Sequence, residues 1–194
     1  MQTKNIMIVG VGGQGSLLAS KLLGRLLVDE GYDVKVSEVH GMSQRGGSVV
    51  TYVKFGDKVY SPIIDEGEAD YIVSFEKIEA ARWLDCLKKG GKIIVNTQQI
   101  DPMPVLQGKA QYPSDVLEKM SAEGVDIDAL DALSIAEKAG TVKAVNIVLM
   151  SRLAKYLDIP YEKWIDAIKN SVAPKYAMLN EKAFELGYYY KGEE

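Results

Sequence analysis

Short apolar runs alternate with amphipathic stretches along the first two thirds of the chain. Residues 4–10 form a β-branched run that ends at a glycine, which is typical of a buried strand. After Gly15, leucines recur at helical spacing until Gly31, and this pattern predicts a helix. By the same reasoning we expect further strands at 33–39, 48–55, 71–75, 92–96 and 125–130, with a short strand at 58–61.

The segments between these later strands predict helices and one long connection. Apolar residues from Ile78 to Leu87 predict a helix that Gly90 and Gly91 end, and Gly124 terminates a second helix that Ser114 or Asp115 could cap. Residues 97–113 hold three prolines and little periodicity, so we expect a long connection there. From about residue 134 the pattern is helical. Its stretch 144–157 is apolar on most faces. This pattern predicts that the domain covers one side of the stretch, and a partner is one candidate to cover the other side.

Alternation of strands and helices predicts an α/β fold. We expect a three-layer Rossmann-like domain over residues 1–194, with a mainly parallel, mixed sheet and a helical C-terminal tail. About eight residues separate the strands at 33–39 and 48–55, whereas a parallel crossover needs a dozen or more. These two strands are therefore either antiparallel or not neighbours.

Composition and charge exclude several classes of function. The 194 residues include 23 Lys and Arg against 27 Asp and Glu, a net charge of −4 that argues against a nucleic-acid partner. No apolar stretch approaches the ~20 residues that span a bilayer, so we expect no membrane partner. With Cys86 and His40 as the only residues of their types, the chain offers no disulfide, no iron–sulfur cluster and no Cys-rich or His-based metal site. We expect a cytoplasmic protein that binds no metal or cofactor alone, with Cys86 as a buried small hydrophobe.

The first candidate site is the glycine-rich segment between the first strand and the first helix, Gly10-Val11-Gly12-Gly13-Gln14-Gly15. It matches G-x-G-x-x-G, in which small residues and a helix N-terminus bring backbone amides close to an anion. The same glycines would also serve a tight turn that binds no ligand. Likewise Gln14 either reaches a ligand or closes the turn. Glu38, at the end of the second strand, suits a nucleotide ribose, so a stand-alone nucleotide- or NAD-binding protein is the alternative function.

The second candidate site is the polar loop at the carboxyl end of the second strand. Arg45 offers a fork of donors for phosphate or carboxylate, and the neighbouring residues that we include in this site are Ser43, Gln44, Gly46 and Gly47. His40 either transfers a proton or braces the loop. Glu38 is expected to pair with Arg45 or a backbone amide rather than to act as a base. Tyr188, Tyr189 and Tyr190 are equally consistent with an interface and with packing on the protein's own surface.

Both glycine-rich segments resemble one known family. Gly-Val-Gly-Gly-Gln-Gly at 10–15 and Ser-Glu-Val-His-Gly-Met-Ser-Gln-Arg-Gly-Gly-Ser-Val at 37–49 are similar to the gamma module of 2-oxoacid:ferredoxin oxidoreductases. The longer second motif is nearest to the small subunit of indolepyruvate ferredoxin oxidoreductases. The resemblance spans about residues 4–190 and includes the segments 61–64, 69–70, 75–76 and 79–80 and Asn146.

The resemblance implies an accessory subunit that is not active alone. Enzymes of this family oxidatively decarboxylate a 2-oxoacid to an acyl-CoA and reduce ferredoxin. Thiamine diphosphate, Mg and iron–sulfur clusters are then expected in a large partner subunit, and ferredoxin is reached through the complex. This chain is expected to pack near the active site, where coenzyme A is a possible contact. The 2-oxoacid itself is not identified by the sequence.

Overall fold

The computed structural model describes residues 3–38 and 47–192, which form one six-stranded sheet between two layers of helices. The strands are β1 (Lys4–Val11), β2 (Asp33–Glu38), β3 (Ser48–Gly56), β4 (Ala69–Ser74), β5 (Leu87–Asn96) and β6 (Asp126–Leu130). The helices are α1 (Ser16–Asp29), α2 (Lys77–Arg82), α3 (Met103–Leu106), α4 (Val116–Ala122), α5 (Ala132–Ala139), α6 (Val145–Ala154), α7 (Tyr161–Ser171) and α8 (Pro174–Tyr188). Two 3₁₀ turns lie at Leu84–Cys86 and Val142–Ala144.

The strand order is β2-β3-β1-β4-β5-β6. Parallel pairing joins β1 to β4, β4 to β5 and β5 to β6, whereas β3 pairs antiparallel with both β1 and β2. Among these six strands β3 alone therefore runs against the others, which confirms the mainly parallel, mixed sheet. The short connection between β2 and β3 joins antiparallel neighbours. We call the edge where the five parallel strands end, and β3 begins, the carboxyl edge.

Two apolar cores confirm the three layers. On one face, α1 and the C-terminal helices α5–α8 cover side chains such as Ile8, Val53 and Ile94. On the other face, α2 and α4 cover Met7, Val9 and further side chains of the sheet. Since α1 follows β1 to one face and α2 follows β4 to the other, the connections diverge between β1 and β4. Ligands of open α/β sheets are met at such a divergence.

The helical tail is fastened to the sheet by a buried ion pair. Arg152 on α6 donates to both carboxylate oxygens of Asp128 on β6, each at 2.9 Å, and to the carbonyl oxygens of Gly187 at 3.3 Å and Tyr190 at 2.8 Å. All ten residues of α6 are buried inside this chain. A partner is therefore not needed to cover the apolar stretch 144–157, because α1, α5 and α8 pack around it.

The sequence pattern misplaced a few elements. Gly90 and Gly91 lie inside β5 instead of ending a helix, and α2 stops at Arg82. Gly90 has a φ of +77°, and a Cβ on Gly91 would come within 2.9 Å of the Lys88 carbonyl oxygen, so these glycines serve an irregular strand. Residues 58–61 form no strand, and the long connection contains the single turn α3.

Candidate functional site

The first glycine loop is closed by its own glutamine. The Val11 amide donates to Gln14 Oε1 at 2.7 Å, while Gln14 Nε2 donates to the Phe75 carbonyl oxygen at 3.0 Å and to Gln98 Oε1 at 3.3 Å. Of the two roles open to Gln14, the structure therefore has it closing the turn. These bonds also hold the end of β1 against the residues that follow β4 and β5.

Two kinds of constraint explain the glycines of this loop. A Cβ on Gly10 would lie 2.9 Å from both Gln14 Oε1 and Phe75 Cβ, which leaves no room for a side chain. Gly13 and Gly15 have φ values of +101° and +93°, a region that favours glycine. The loop conformation is thus fully accounted for by packing and backbone geometry, and any ligand would use its backbone amides.

Several of those amides are available at the start of α1. In the part of the chain that the structure describes, the amides of Gly13, Gly15, Ser16 and Leu17 have no acceptor. Gly15 occupies the N-cap and supplies no side-chain cap, so the positive end of this 14-residue helix faces an open rim. The Gly12 amide instead donates to the Gly47 carbonyl oxygen at 2.8 Å, which joins the first loop to the end of the second.

Cavities lie on both sides of this loop. One of about 270 Å³, which we call the α1 cavity, is bounded by the glycine loop, the first residues of α1, Glu38 and the stretch 49–51. The α6 cavity, of about 440 Å³, is bounded by Gln14, Leu18, Gln98, Val142 and Lys143. Leu18 is 60% exposed and Val142 is 54% exposed, so the rim of the α6 cavity is apolar and open.

Most of the second candidate site lies outside the described residues. This holds for His40, Ser43, Gln44, Arg45 and Gly46, whereas Gly47 and Glu38 flank the segment. Glu38 Oε1 accepts a hydrogen bond from Ser20 Oγ on α1 at 2.8 Å. Its partner among the described residues is thus a hydroxyl, and the expected pairing with Arg45 or a backbone amide stays a prediction, because residues 39–46 lie outside them.

Glu76 and Glu79 form a buried acidic cluster beside the second loop, and the sequence did not predict that they lie together. Glu76 caps α2 by accepting from the Glu79 amide at 3.0 Å, and it also accepts from the Ile100 amide at 3.2 Å and from the Tyr112 hydroxyl. Glu79 accepts from Ser48 Oγ and pairs with Arg82 at 3.2 Å. The sequence carries one signal for this cluster, because Glu76 and Glu79 stand at the spacing of a capping box. That spacing has meaning only if a helix is predicted to start at residue 77.

Burial shifts the pKa values of this cluster. The pKa of Glu79 is raised above 4.5, mainly by desolvation and further by Glu76, against the lowering effects of Ser48 and Arg82. Desolvation and the hydrogen bond to Glu76 also raise the pKa of Tyr112. The cluster lines a cavity of about 220 Å³ that reaches Asp101 and Met103. It therefore braces the start of β3 and α2 at the carboxyl edge without offering a free base.

The remaining candidate residues lie in environments that are typical of packing and not of a reactive site. Cys86 is half-buried on a 3₁₀ turn, and burial raises the pKa of its thiol, which disfavours the reactive thiolate. Tyr188 stacks on Phe184 with ring centroids 6.0 Å apart, whereas Tyr189 is exposed. No three His, Cys, Asp or Glu side chains are grouped as a metal site in residues 3–38 and 47–192. Among these residues, no helix is long and apolar enough to cross a membrane.

Comparison with known proteins identifies the family of this chain. The family described as pyruvate ferredoxin/flavodoxin oxidoreductase matches residues 5–190, nearly the whole chain and both loops. The chain belongs to this family. It is 45% identical over 192 residues to indolepyruvate oxidoreductase subunit IorB of Thermococcus kodakarensis, covering 96% of this chain and 95% of that protein.

Solved structures share the fold of this family member. Pyruvate oxidoreductase subunit PORC of Thermotoga maritima superposes with a TM-score of 0.71 at 20% identity, over 97% of this chain and 96% of that one. A 2-oxoglutarate:ferredoxin oxidoreductase of Magnetococcus marinus, with 2-oxoglutarate, coenzyme A and succinyl-CoA bound, superposes with a TM-score of 0.75 at 17% identity. That match covers 96% of this chain but 30% of the other, so the same fold also occurs as one part of a longer chain.

Proposed function

We propose that this chain is the accessory subunit of an indolepyruvate or related 2-oxoacid:ferredoxin oxidoreductase. The observation that carries the proposal is the 45% identity to a subunit of that name along almost the full length of both chains. The complex would cleave the bond between the carboxylate and the carbonyl carbon of a 2-oxoacid and release CO₂. The acyl group would join the sulfur of coenzyme A, and the electron pair would leave one electron at a time to ferredoxin.

A large partner subunit would carry the cofactors of this reaction. That partner would hold thiamine diphosphate with Mg, which supplies the chemistry of decarboxylation, and iron–sulfur clusters, which supply the electron path to ferredoxin. The assignment to a partner rests on the chain's own residues, because a single cysteine and a single histidine cannot ligate a cluster. We place the complex in the cytoplasm, where ferredoxin and free thiols are kept reduced.

The carboxyl edge would be the face that docks on the partner. Leu18 and Val142 are exposed around the α6 cavity, and Met103 and Leu106 are exposed on α3. Exposed apolar side chains grouped at one edge are typical of an interaction site. On this edge Arg45 would contact an anionic group, either the phosphates of coenzyme A or a carboxylate of the partner. Ser43, Gln44, Gly46, Gly47 and the first glycine loop would supply the neighbouring hydrogen bonds.

Anaerobic purification of the tagged chain from its own source, followed by native mass spectrometry, tests the subunit role. We expect recovery with a much larger protein that contains iron and thiamine diphosphate. Recovery of a lone monomer or homodimer would contradict the proposal. The assembly measurement needs no assumption about which residue contacts coenzyme A.

Arg45→Ala in the assembled enzyme tests the site. We expect a rise of at least about tenfold in the KM for coenzyme A or a matching loss of assembly, since hydrogen bonds to charged groups contribute about 1.5–3 kcal/mol. Arg25→Ala is the matched control, because Arg25 is an exposed arginine of α1 whose contact is an i,i+4 pair with Asp29. Equal kinetics and equal assembly for the two variants would remove Arg45 from the site.

A further inference from the structure

A group of lysines surrounds a cavity of about 260 Å³ at the edge of the sheet where the parallel strands begin, which we call the amino edge. The lysines come from β1 and β5, and they are Lys4, Lys88, Lys89 and Lys92. The carboxylates of Asp70 and Asp126 line the same cavity. Among the described residues that line it, lysines therefore outnumber carboxylates by four to two, although the whole chain has a net charge of −4.

A bulge in β5 brings two of these lysines to the cavity. β5 pairs with β4 at Leu87 and then again from Lys92, although their two partners in β4 are only two positions apart. Residues 88–91 therefore bulge out of the ladder. Gly90 permits the turn within them, because its φ of +77° is the value that the third residue of a type II turn requires. Bulges occur often beside functional sites, where they redirect side chains.

The lysines at the β4 side of the cavity retain most of their hydrogen-bond donors. Each ammonium group has three N–H donors. Lys88 donates one of them to Asp70 at 3.3 Å. Lys4 lies 3.7 Å from the same carboxylate, which is an ion pair but is too long for a hydrogen bond. Lys89 is exposed and has no ion pair or hydrogen bond within residues 3–38 and 47–192.

The lysine at the β6 side is held in a fixed position. Lys92 donates to Asp126, and its Nζ lies 4.7 Å from the centroid of the Tyr156 ring. The Tyr156 hydroxyl donates to Asp128 at 2.7 Å, so the ring is itself fixed. The Lys92 side chain is 20% exposed, and its ammonium group keeps further donors for a ligand in the cavity.

The cluster thus has two positive centres, one around Asp70 on β4 and one beside Asp126 on β6. Asp126 is level with Tyr71, the residue after Asp70, but it lies two strands away. Neighbouring strands are about 4.8 Å apart, so the two centres are separated by about 10 Å. Lysine is a common ligand of phosphate groups, which it binds as a point charge. An anion with a phosphate group at each end of a short carbon chain matches this arrangement.

We propose that the cavity at the amino edge binds a small organic bisphosphate. Lys4, Lys88 and Lys89 bind one phosphate group, and Lys92 binds the other. Pockets for drug-sized ligands begin at ~300 Å³, so a cavity of about 260 Å³ accommodates a sugar bisphosphate. The site lies at the opposite edge of the sheet from the proposed docking face, so the ligand and the large partner subunit do not compete.

Calorimetric titration of the full chain with fructose 1,6-bisphosphate and with fructose 6-phosphate tests the site. The ionic strength is held constant, because salt screens exposed charges. We expect the bisphosphate to bind at least about tenfold more tightly than the monophosphate, since hydrogen bonds between charged groups are worth about that factor. Absence of bisphosphate binding up to millimolar concentration, or equal affinity for the two probes, would overturn the inference.

A pair of double variants assigns the binding to this cavity. Lys88→Gln with Lys89→Gln should weaken bisphosphate binding about tenfold or more, because two ammonium groups are lost. Both lysines are exposed, so the fold should tolerate the change. Lys21→Gln with Lys182→Gln removes the same charge from exposed positions of α1 and α8 and is the matched control. Equal weakening by the two double variants would indicate attraction by net charge alone and would overturn the assignment.

A third variant should change the affinity in the opposite direction. Asp126→Asn removes a carboxylate from the cavity and frees a donor of Lys92. We expect bisphosphate binding to tighten about twofold, because the Asp126 side chain is 59% exposed and exposed charges interact weakly. Weaker binding by this variant would contradict the placement of a phosphate group at Lys92.

The result is independent of the subunit proposal. A chain that assembles with a large partner but does not bind the bisphosphate would overturn this inference alone. A chain that binds the bisphosphate through Lys88 and Lys89 but is recovered without a partner would overturn the subunit role alone.

Discussion

The amide of Gly12 donates a 2.8 Å hydrogen bond to the carbonyl oxygen of Gly47, which ties the two glycine-rich loops together. Gly47 follows Arg45 by two positions in the sequence, and Gly12 precedes the open start of α1 by four. The two motifs that the sequence keeps far apart therefore meet at one rim of the sheet.

Gly10→Ala should destabilise the protein by about 1–3 kcal/mol, the usual cost of overpacking. The added methyl group would lie 2.9 Å from Phe75 Cβ, a side-chain atom fixed directly to the backbone after β4. Gly24→Ala is the matched control, because its new Cβ would meet Val36 Cγ2 at 3.5 Å, an ordinary contact in a helix interior. This control should gain about 0.5–1 kcal/mol. Urea denaturation of both variants measures the difference, and equal stabilities would contradict the packing argument.

Arg152→Met should cost about 3–5 kcal/mol, because it leaves the buried carboxylate of Asp128 without its ionic partner. It also removes the hydrogen bonds to the Gly187 and Tyr190 carbonyl oxygens that hold the end of α8. Arg25→Met, in an exposed ion pair, should change the free energy of unfolding by less than about 0.5 kcal/mol. Limited proteolysis adds a second readout, since the segment after α8 should be cleaved first in Arg152→Met and not in the control.

The buried Glu79 makes the stability depend on pH in a defined direction. Because its pKa is raised from 4.5 in the folded state, folded protein keeps this proton to a higher pH than the unfolded chain does. The free energy of unfolding should therefore fall as the pH rises from 4.5 through the raised pKa. Glu79→Gln cannot titrate and should lack that component of the fall. Denaturation curves at pH 4.5 and pH 7 compare the two proteins, and parallel pH profiles would rule out this effect of Glu79.

Leu18→Glu should weaken assembly with the large partner about tenfold or more, if the carboxyl edge is the docking face. Leu18 is 60% exposed on the rim of the α6 cavity, so a charge there should not disturb the isolated fold. Tyr60→Glu is the control. Tyr60 is 88% exposed and follows the end of β3, at the opposite edge of the sheet. Titration of the partner with each variant measures the change in binding affinity. Equal weakening of binding by both variants would contradict docking at the carboxyl edge.

The fold was predictable because its signals are local. The apolar run of β1, the glycine that follows it and the leucines of α1 each specify their own element. The short connection between β2 and β3 was enough to exclude a parallel pair, and the structure selects the antiparallel alternative. The helix predicted to end at Gly90 and Gly91 was wrong, because a pair of glycines marks an irregular strand as readily as a helix end. Periodicity alone does not distinguish the two.

The site was predictable only in part, because it depends on contacts between distant residues. Gln14 closes its loop through Phe75 and Gln98, partners that lie 61 and 84 residues away. The link from Ser48 to Glu79 is likewise long-range and has no sequence signature.

The central place of β1 has a consequence for biosynthesis. Residues 6–9 of β1 pair with residues 50–53 on one side and with residues 71–74 on the other. A ribosome releases β1 before both of its neighbours, so its buried residues 6–9 have no sheet partner until β3 has been made. Delayed pairing of an apolar strand exposes it to aggregation. We therefore expect the nascent segment that contains β1 to be held by a chaperone, and truncations before residue 74 to be insoluble.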